Sequence, residues 1–305
     1  MAFSEWIWAH DNKHWLNEIV ARVKGLAGTS VSLKIGTTTV TGTVGSDGTT
    51  LVALPKLGTY TVSAEISGKT VSNTTNIDRY GITDVWAMGQ IAFADATAAQ
   101  IKAVCDSGKA GDFWNVGDRH VVTMQDGTTL AFKIADFNHD VDPSGNKLAM
   151  SLIAADCLSV AKQFNTGNTN AGGWKSSYMR QTIIPSVLAN FPQEWQNIIA
   201  TTLKKTSAGS QSSGIVQTED KLWLPSEIEV FGARSYSFDG EGVQYPLFPD
   251  AASRVRTVAG TAQYWWERSP YNANATSFCT VSPAGAVYSG RYASNSYGVT
   301  LGFCI

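Results

Sequence analysis

Apolar residues near the start of the chain recur at the spacing of one face of an α-helix. In the segment 10–24 these apolar positions are Trp15, Leu16, Ile19, Val20 and Val23. The i, i+4 pattern predicts an amphipathic helix over 10–24, within an N-terminal segment that spans residues 1–28. A helix of four turns is marginal alone in water. We therefore expect its apolar face to pack against other copies of the chain in an oligomer.

The hydrophobic period changes to two over residues 29–77. Runs such as SVSLKIG, TYTVSAEIS and KTVSNTTNI alternate apolar and polar residues, with turn signals such as Ser46-Asp47-Gly48 between them. Five or six short strands in so few residues predict a small all-β sandwich. The stretch GSDGTTLVALPKLGTYTVSAEISG resembles immunoglobulin-like and carboxypeptidase-regulatory modules, which serve as adaptors. Residues 78–94 follow as a predicted linker.

From residue 95 to residue 305 the pattern is mixed, which predicts an α+β domain. Ala99, Ile101, Val104 and Cys105 have helical spacing and predict a helix over about 96–107. Gln125-Asp126-Gly127 has the composition of a hairpin turn. A helical region is expected over about 175–203, and strands with Gly/Ser/Asn loops are expected in the last 40 residues.

Charge and composition exclude several classes of partner. The formal net charge of −2 gives no basic field for nucleic acid, and no apolar run reaches the 18 residues that span a bilayer. We therefore expect neither nucleic-acid binding nor membrane insertion. The start MAFSEWIWAHDNKHW lacks the basic and apolar regions of a signal peptide, which predicts synthesis in the cytoplasm without one.

Candidate chemistry is sparse along the chain. Asp136, Asn138 and Asp140 imitate the start of a calcium loop, but valine and lysine occupy the positions that require glycine and glutamate. Side-chain caps on a polar loop are the alternative to calcium there, and the departures favour it. Glu227 and Glu229 share a face in an extended chain, as a catalytic pair would, but a capped or solvated turn explains them more simply. We expect no cofactor and no enzymatic activity.

The C-terminal composition is the most informative feature. Residues 269–305 contain one charged side chain, Arg291, and no Lys, Glu, Gln, Trp or Met. Those five residue types are the ones that NNY codons cannot encode. The mixture of Tyr with Asn, Ser, Thr, Ala and Gly resembles an antibody paratope, in which rigid Tyr anchors stand among small polar residues. A set of Gly/Ser-rich loops is the alternative. The predicted ligand-binding residues are Tyr271, Asn272, Asn274, Thr276, Tyr288, Arg291, Tyr292, Ser294, Asn295 and Tyr297, and we expect them to form one exposed patch.

Several motifs in order resemble one protein family. They are YWWERSP at 264–270, FCTVSPAG at 278–285 and YGVTLGFCI at 297–305, preceded by FWNVGDRHVVTMQDGTTLAFKI at 113–134 and DKLWLPSEIEVFG at 220–232. They are similar to the C-type-lectin-like variable proteins of phage and gut bacteria, which share a fold with formylglycine-generating enzymes. Some members are diversified by retroelements through adenine-directed mutation. In this chain Glu267 stands where the pattern usually has leucine.

The resemblance implies a fold and a function. It implies a C-type-lectin-like domain over 95–305 that displays a ligand surface on 271–297, with Trp265, Trp266, Arg268 and Pro270 as the buried scaffold. The expected function is a phage tail or baseplate receptor-binding protein in the virion, attached by its N-terminal part to other tail proteins. The host receptor would be a protein or a glycan, and a trimer is the expected oligomer. The alternatives are a purely structural baseplate component and a formylglycine-generating-type enzyme, which would need a cysteine pair such as Cys279 and Cys304.

Overall fold

The computed structural model describes residues 18–25, 28–66, 69–87, 92–106 and 108–305. Strands dominate these residues and the helices are short, which confirms the α+β class. The chain forms two compact units, one ending at Lys109 and the other beginning at Ala110. No helix in the described ranges is both long enough and apolar enough to cross a membrane.

The described residues of the first unit form two sheets, one 3-10 turn and one helix. Its elements are β1 (Ile19–Lys24), β2 (Ser30–Ile35), β3 (Thr38–Thr43), β4 (Thr49–Ala53), β5 (Gly58–Ile66), β6 (Lys69–Ile77), β7 (Gly81–Trp86), a 3-10 turn (Phe93–Asp95) and α1 (Ala98–Asp106). One sheet has the antiparallel order β3-β2-β5-β6, and the other has the order β4-β1-β7. Cross-strand pairs such as Leu33 with Val62 are fully buried, as period-two alternation requires. The strands predicted within 29–77 and the helix predicted over 96–107 are therefore confirmed.

The helix predicted over 10–24 is wrong from Ile19 onward. Residues 19–24 form β1, the central strand of its sheet, which pairs antiparallel with β4 and parallel with β7. The β-branched residues Ile19, Val20 and Val23 favour a strand, because a helix restricts their side chains. Residues 1–17, which include Trp15 and Leu16, lie outside the described part of the chain.

The linker predicted over 78–94 also contains a strand. Gly81–Trp86 forms β7, and Asp84 on it lies 3.0 Å from the ammonium of Lys24 on β1. The first unit therefore extends beyond 29–77 on both sides, and α1 belongs to it. Local patterns could not predict the pairing of β1 with β7, because the partner in a parallel pair is distant along the chain.

The second unit carries the remaining elements. Its helices are α2 (Ala110–Phe113), α3 (Gly173–Ser176), α4 (Ile184–Ala189), α5 (Gln193–Ile198), α6 (Glu227–Phe231) and α7 (Ala251–Arg254), with a π-helical turn at Met179–Ile183. Its strands are β8 (Arg119–Thr123), β9 (Thr129–Phe137), β10 (Met150–Ala154), β11 (Lys162–Gln163), β12 (Thr202–Gly209), β13 (Ser212–Asp220), β14 (Thr257–Val258), β15 (Thr261–Ala262), β16 (Trp265–Pro270), β17 (Ser277–Val281), β18 (Val287–Tyr292), β19 (Ser296–Val299) and β20 (Gly302–Cys304). The predicted hairpin at 125–127 is confirmed as the turn between β8 and β9.

Two sheets organise this unit. The first has the antiparallel order β20-β10-β9-β8, and the second has the order β11-β19-β16-β17-β18. In the first sheet Phe303 of β20 contacts the ring edges of Phe132 and Phe191. In the second sheet every residue of β16 and β17 is buried. The edge strand β18 is partly accessible to solvent along its whole length, as are β11 and the first two residues of β19.

Candidate functional site

The predicted scaffold residues lie at the centre of the second sheet. Trp265, Trp266, Arg268 and Pro270 belong to β16 and are all buried. The indole of Trp265 donates to the carbonyl of Arg254 at 2.9 Å, and the indole of Trp266 donates to the carbonyl of Lys162 at 2.8 Å. Because both buried N–H groups are paired, this strand is a stable base for whatever packs on it.

A bulge in β18 brings two predicted site residues to one face. Phe278 pairs with Arg291 and Thr280 pairs with Tyr288, so three steps along β18 match two steps along β17. In a regular strand, residues three apart point to opposite faces. The extra residue of the bulge compensates for this, so two residues that are three apart across the bulge point to the same face. Tyr288 and Arg291 therefore share a face.

Three tyrosine rings surround the guanidinium of Arg291 on that face. Its central carbon lies 4.1 Å from the ring centre of Tyr264, 4.5 Å from that of Tyr288 and 5.6 Å from that of Tyr297. The Tyr264 ring lies 5.0 Å from the Tyr288 ring in an edge-to-face arrangement. We call these four residues the Arg291 cluster. Tyr288 is 36% exposed, so the cluster lies at the surface.

The cluster is supported from below by buried aromatic rings. The ring centre of Tyr297 lies 5.1 Å from that of Trp266, and the ring centre of Trp266 lies 5.4 Å from that of Phe164, both in edge-to-face arrangements. The ring of Phe164 in turn stacks on that of Phe278, with 3.6 Å between the ring centres. This chain of contacts connects the surface tyrosines to the core, which limits their rotamer freedom.

The other predicted residues of β18 and its neighbour lie on the opposite face. Tyr292 pairs with Ser277, one residue before the pair of Phe278 with Arg291, so the side chains of Arg291 and Tyr292 point to opposite faces. Tyr292 is 56% exposed. Tyr271 belongs to this second face, because a Cβ atom at Gly290 would lie 2.6 Å from the Cβ atom of Tyr271. The expected single patch is therefore wrong: the predicted residues divide between two faces of one edge strand.

The remaining predicted residues lie in the loops beside this ribbon. Asn272 donates its amide to the carbonyl of Ser237 at 3.0 Å. Asn274 accepts from the backbone and hydroxyl of Thr276, and Ser294 donates to Asn168. Asn295 is exposed. None of the ten predicted residues is buried.

Two residues that matter here were missed from the sequence. Tyr264 completes the Arg291 cluster. It lies two residues before Trp266, so in an extended chain the two side chains share a face, and this spacing was a usable signal. Asn170 is fully buried and donates its amide to the carbonyls of Asn274 and Ser277, at 2.9 and 2.8 Å, while its oxygen accepts from the backbone of Ser210. It fixes the loop between β16 and β17, and no local pattern points to it.

Arg268 is the centre of a buried ionic network under the site. Its guanidinium binds Glu229 through both terminal nitrogens, at 2.5 and 2.8 Å, and donates to the carbonyls of Leu224 and Glu241. Lys204 lies 2.8 Å from Glu229 and 2.7 Å from Asp140. Burial raises the pKa of Glu229, but the charges of Arg268 and Lys204 outweigh burial and hold that pKa below its usual range. The network is therefore ionised and structural.

The pair Glu227 and Glu229 is not solvated. Both side chains are buried, and Glu229 forms a capping box with Ser226 at the start of α6. Glu227 accepts hydrogen bonds from the backbone N–H groups of Tyr236 and Ser237, at 2.7–3.0 Å. The predicted cap is confirmed, and the predicted exposure is wrong. Both carboxylates serve to hold loops rather than to face a cleft.

Two more buried glutamates stand near the same strand. Burial, together with the charges of Glu227 and Glu241, raises the pKa of Glu267 well above its usual range, and neither of its oxygens has a hydrogen-bond partner among the described residues. Burial raises the pKa of Glu241 to about 7. Burial without a hydrogen-bond partner therefore favours the neutral, protonated form of Glu267.

The carboxylate of Asp140 in the calcium-like loop is buried. Asp140 accepts from Lys204 at 2.7 Å, from Tyr245 at 2.6 Å and from Ser151 at 2.7 Å. Asp136 accepts from the neighbouring backbone at Phe137, and Asn138 has a left-handed backbone with φ of 52°. A calcium ion there would have to displace an ammonium from Asp140. In the described part of the chain no group of three or more metal-ligating side chains is found.

The cysteines proposed for an enzymatic pair are separate and buried. Cys279 lies on β17 and Cys304 on β20, in different sheets, and both are free thiols. Burial raises the pKa of each thiol well above its usual range. Because the thiolate is the reactive form, these thiols are inert in this structure.

A groove of about 470 Å³ lies elsewhere on the second unit, between the β8–β9 turn and α4. Its lining includes Asp126, Asp156, Cys157 and Lys162, and none of the predicted ligand-binding residues. Burial raises the pKa of Cys157 to about 11, so this thiol is also protonated at neutral pH.

Comparison with known families matches the C-terminal half of the chain. A family model described as a domain of unknown function, DUF6273, matches residues 145–305, which is more than half of the sequence. The match includes β10 to β20 and therefore the whole of the Arg291 cluster and its scaffold. No curated protein matches the chain.

Proposed function

The chain belongs to the DUF6273 family, and we propose that its family domain is the receptor-binding domain of a phage tail or baseplate protein. One observation carries the proposal: accessible tyrosines and one arginine lie on an edge strand whose supporting strands β16 and β17 are completely buried. This separation lets surface side chains change without disturbing the core. Aromatic residues and arginine are also the residue types that dominate binding energy at interfaces.

The composition of residues 271–297 supports a variable surface. The side chains on β18 are partly or fully exposed, as are most of those in the adjoining loops, whereas Ala293 and the strand β17 within the stretch, β16 before it and β20 after it are buried. We propose that this stretch is the segment that a diversity-generating retroelement rewrites. The Arg291 cluster would be the centre of the ligand surface, and the other predicted residues would be its rim.

The finer fold assignments belong to the same proposal. The ordered motifs from FWNVGDRH to YGVTLGFCI support a C-type-lectin-like fold for the second unit. The two sheets of the first unit support an immunoglobulin-like sandwich that attaches the protein to other tail proteins. We propose a homotrimer in the virion, made in the bacterial cytoplasm, with a host cell-surface receptor as the partner of the second unit. This function requires no cofactor and no catalysis.

Immunogold electron microscopy tests the proposed location. Phage particles are collected from a bacterial culture whose DNA encodes this sequence, and antibodies raised against the full chain are applied. We expect label at the tail tip or baseplate, and we expect a reverse transcriptase and a template repeat in the DNA beside the gene. Particles without label would overturn the virion assignment.

Competition separates the receptor-binding role from a structural one. The purified full chain is added to host cells before the phage, and free phage are counted. We expect the chain to block adsorption. Label on the baseplate without any block would identify a structural baseplate component and would contradict the receptor-binding role.

A further inference from the structure

We propose that the Arg291 cluster recognises a carboxylate on a saccharide, so that the receptor is an acidic surface polysaccharide containing hexuronate. This inference rests on the proposed receptor-binding function and names the ligand class of that same surface. The guanidinium of Arg291 would hold the ligand without a metal ion.

Arg291 has no anionic partner in the described part of the chain. It belongs to no ion pair there, although other arginines, such as Arg180 and Arg268, each meet a carboxylate. Its Nε–H is buried without a hydrogen-bond partner. A buried donor without a partner is unfavourable, and one from a charged group more so. The positive charge of Arg291 therefore has no counter-ion among the described residues, and an anion bound to its terminal nitrogens would supply one.

The terminal nitrogens of Arg291 remain available. They make no hydrogen bond to the described residues, and they are not among its buried unpaired atoms, so solvent reaches them. The three tyrosine rings, at 4.1, 4.5 and 5.6 Å, hold the guanidinium in place. A fixed planar fork of donors matches a planar carboxylate, which it binds through two parallel hydrogen bonds.

The charge of residues 269–305 favours a monoanion. Arg291 is the one charged side chain in residues 269–305, so a single positive charge faces the ligand from this segment. One positive charge is balanced by one carboxylate. A phosphate carries more charge and is usually bound by several cations or backbone N–H groups.

The neighbouring side chains favour a saccharide over an acidic peptide. The cluster offers three tyrosine hydroxyls, and exposed Asn295 and Ser296 stand just before Tyr297 on the chain. Hydroxyl and amide groups both donate and accept, which matches the hydroxyls of a sugar ring. The flat aromatic faces suit the apolar face of such a ring better than they suit an extended peptide.

Calorimetric titration of the full chain with trigalacturonate and with triglucuronate tests the inference. The matched neutral ligands are the same trisaccharides with their carboxyl groups reduced to alcohols. We expect at least one acidic trimer to bind, and its neutral counterpart to bind at least tenfold more weakly. Glycerol phosphate trimer and a glutamate-rich peptide serve as the phosphate and protein arms.

Three variants identify the recognising residue. Arg291→Gln is expected to weaken binding of the acidic trimer at least tenfold, and Arg291→Lys is expected to weaken it less, because the charge remains while the fork is lost. Arg119→Gln is the matched control, since it removes an exposed arginine on β8, in the other sheet of the same unit, and should leave the affinity within twofold. Melting temperatures measured on the same samples confirm that each variant is folded.

The other outcomes overturn either the inference or the proposed function. Equal binding of acidic and neutral trimers, or an unchanged affinity in Arg291→Gln, removes the carboxylate assignment. Binding of glycerol phosphate or of the peptide alone replaces the saccharide carboxylate by that group. If no probe binds although the chain blocks phage adsorption, the inference fails and the proposed function stands. If the acidic trimer binds through Arg291 but the chain neither labels the virion nor blocks adsorption, the proposed function fails instead.

Discussion

The guanidinium of Arg291 lies 4.1 Å from the ring centre of Tyr264. Tyr264 directly precedes β16, and Arg291 lies on β18, while both strands pair with β17. Strand pairing in a buried sheet therefore sets the distance between these two residues. A surface held in this way keeps its geometry when the loops around it change.

Surface and scaffold residues should differ sharply in their effect on stability. Tyr288→Ala and Tyr292→Ala remove accessible rings, and each should lower the free energy of unfolding by about 1 kcal/mol or less. Trp266→Ala empties a fully buried position and should lower it by about 3–5 kcal/mol. Urea denaturation of the three variants measures the difference. A tyrosine variant as unstable as Trp266→Ala would mean that its ring belongs to the core.

Glu267 should reduce the stability of the fold. Glu267→Leu replaces a buried carboxyl without partners by an apolar side chain of similar volume, so it should raise the free energy of unfolding by about 1–3 kcal/mol at pH 7. Glu219→Leu, at an exposed position on β13, is the matched control and should change little. A destabilised Glu267→Leu variant would show that an undetected partner satisfies the carboxyl.

The raised pKa of Glu267 predicts that the stability of the fold depends on pH. The folded-state pKa of Glu267 lies above the ordinary value of 4.5, and that of Glu241 is about 7. Above pH 4.5 the unfolded chain loses these protons while the folded chain keeps them, so stability falls as the pH rises toward each folded pKa. We expect the melting temperature of the parent to decrease from pH 5 to pH 8 and that of Glu267→Leu to decrease less. Parallel curves for the two proteins would contradict the raised pKa of Glu267.

Arg268 should be irreplaceable even by lysine. Arg268→Lys loses the two-nitrogen contact with Glu229 and leaves buried carbonyls without a donor, so it should cost about 3–5 kcal/mol of stability. Arg234→Lys alters an exposed ion pair with Asp239 and should cost about 0.5 kcal/mol or less. Thermal melting compares the two. A mild effect of Arg268→Lys would mean that the network tolerates rearrangement.

Local sequence patterns predicted the helices, strands and turns that depend on interactions between neighbouring residues. Alternation identified β2 to β6, helical spacing identified α1, and the turn residues identified the β8–β9 hairpin. Residues 19–24 were predicted as helix, because an apolar spacing of i, i+1, i+4 fits both a helix and a buried strand, and the deciding partner β7 lies 62 residues further along the chain. The burial of Glu229 was also beyond local inference, since Arg268 and Lys204 reach it from other strands.

The candidate site shows the same limit. Composition indicated the accessible segment, and none of the ten predicted residues is buried. Their division between two faces follows from the bulge in β18, where two residues oppose one on β17. A period-two pattern cannot reveal such an insertion, because the bulge depends on the paired strand.

Calcium should have no effect on this protein. The carboxylate of Asp140 is engaged by Lys204, Tyr245 and Ser151, so the loop offers too few free oxygens for the ion. We expect the same melting temperature within about 1 °C in EDTA and in millimolar calcium chloride. A clear rise with calcium, absent in Asp136→Asn, would establish the site that the sequence pattern imitates.

The affinity of the labelled chain for host cells tests the central claim most directly. Saturation binding is measured for the parent, for Tyr288→Ala and for Tyr292→Ala, with cells of the strain that the phage infects. We predict that Tyr288→Ala weakens binding at least tenfold, about 1.4 kcal/mol, and that Tyr292→Ala at the rim weakens it less, with all three proteins folded. A folded Tyr288→Ala chain that binds these cells as tightly as the parent would contradict the account.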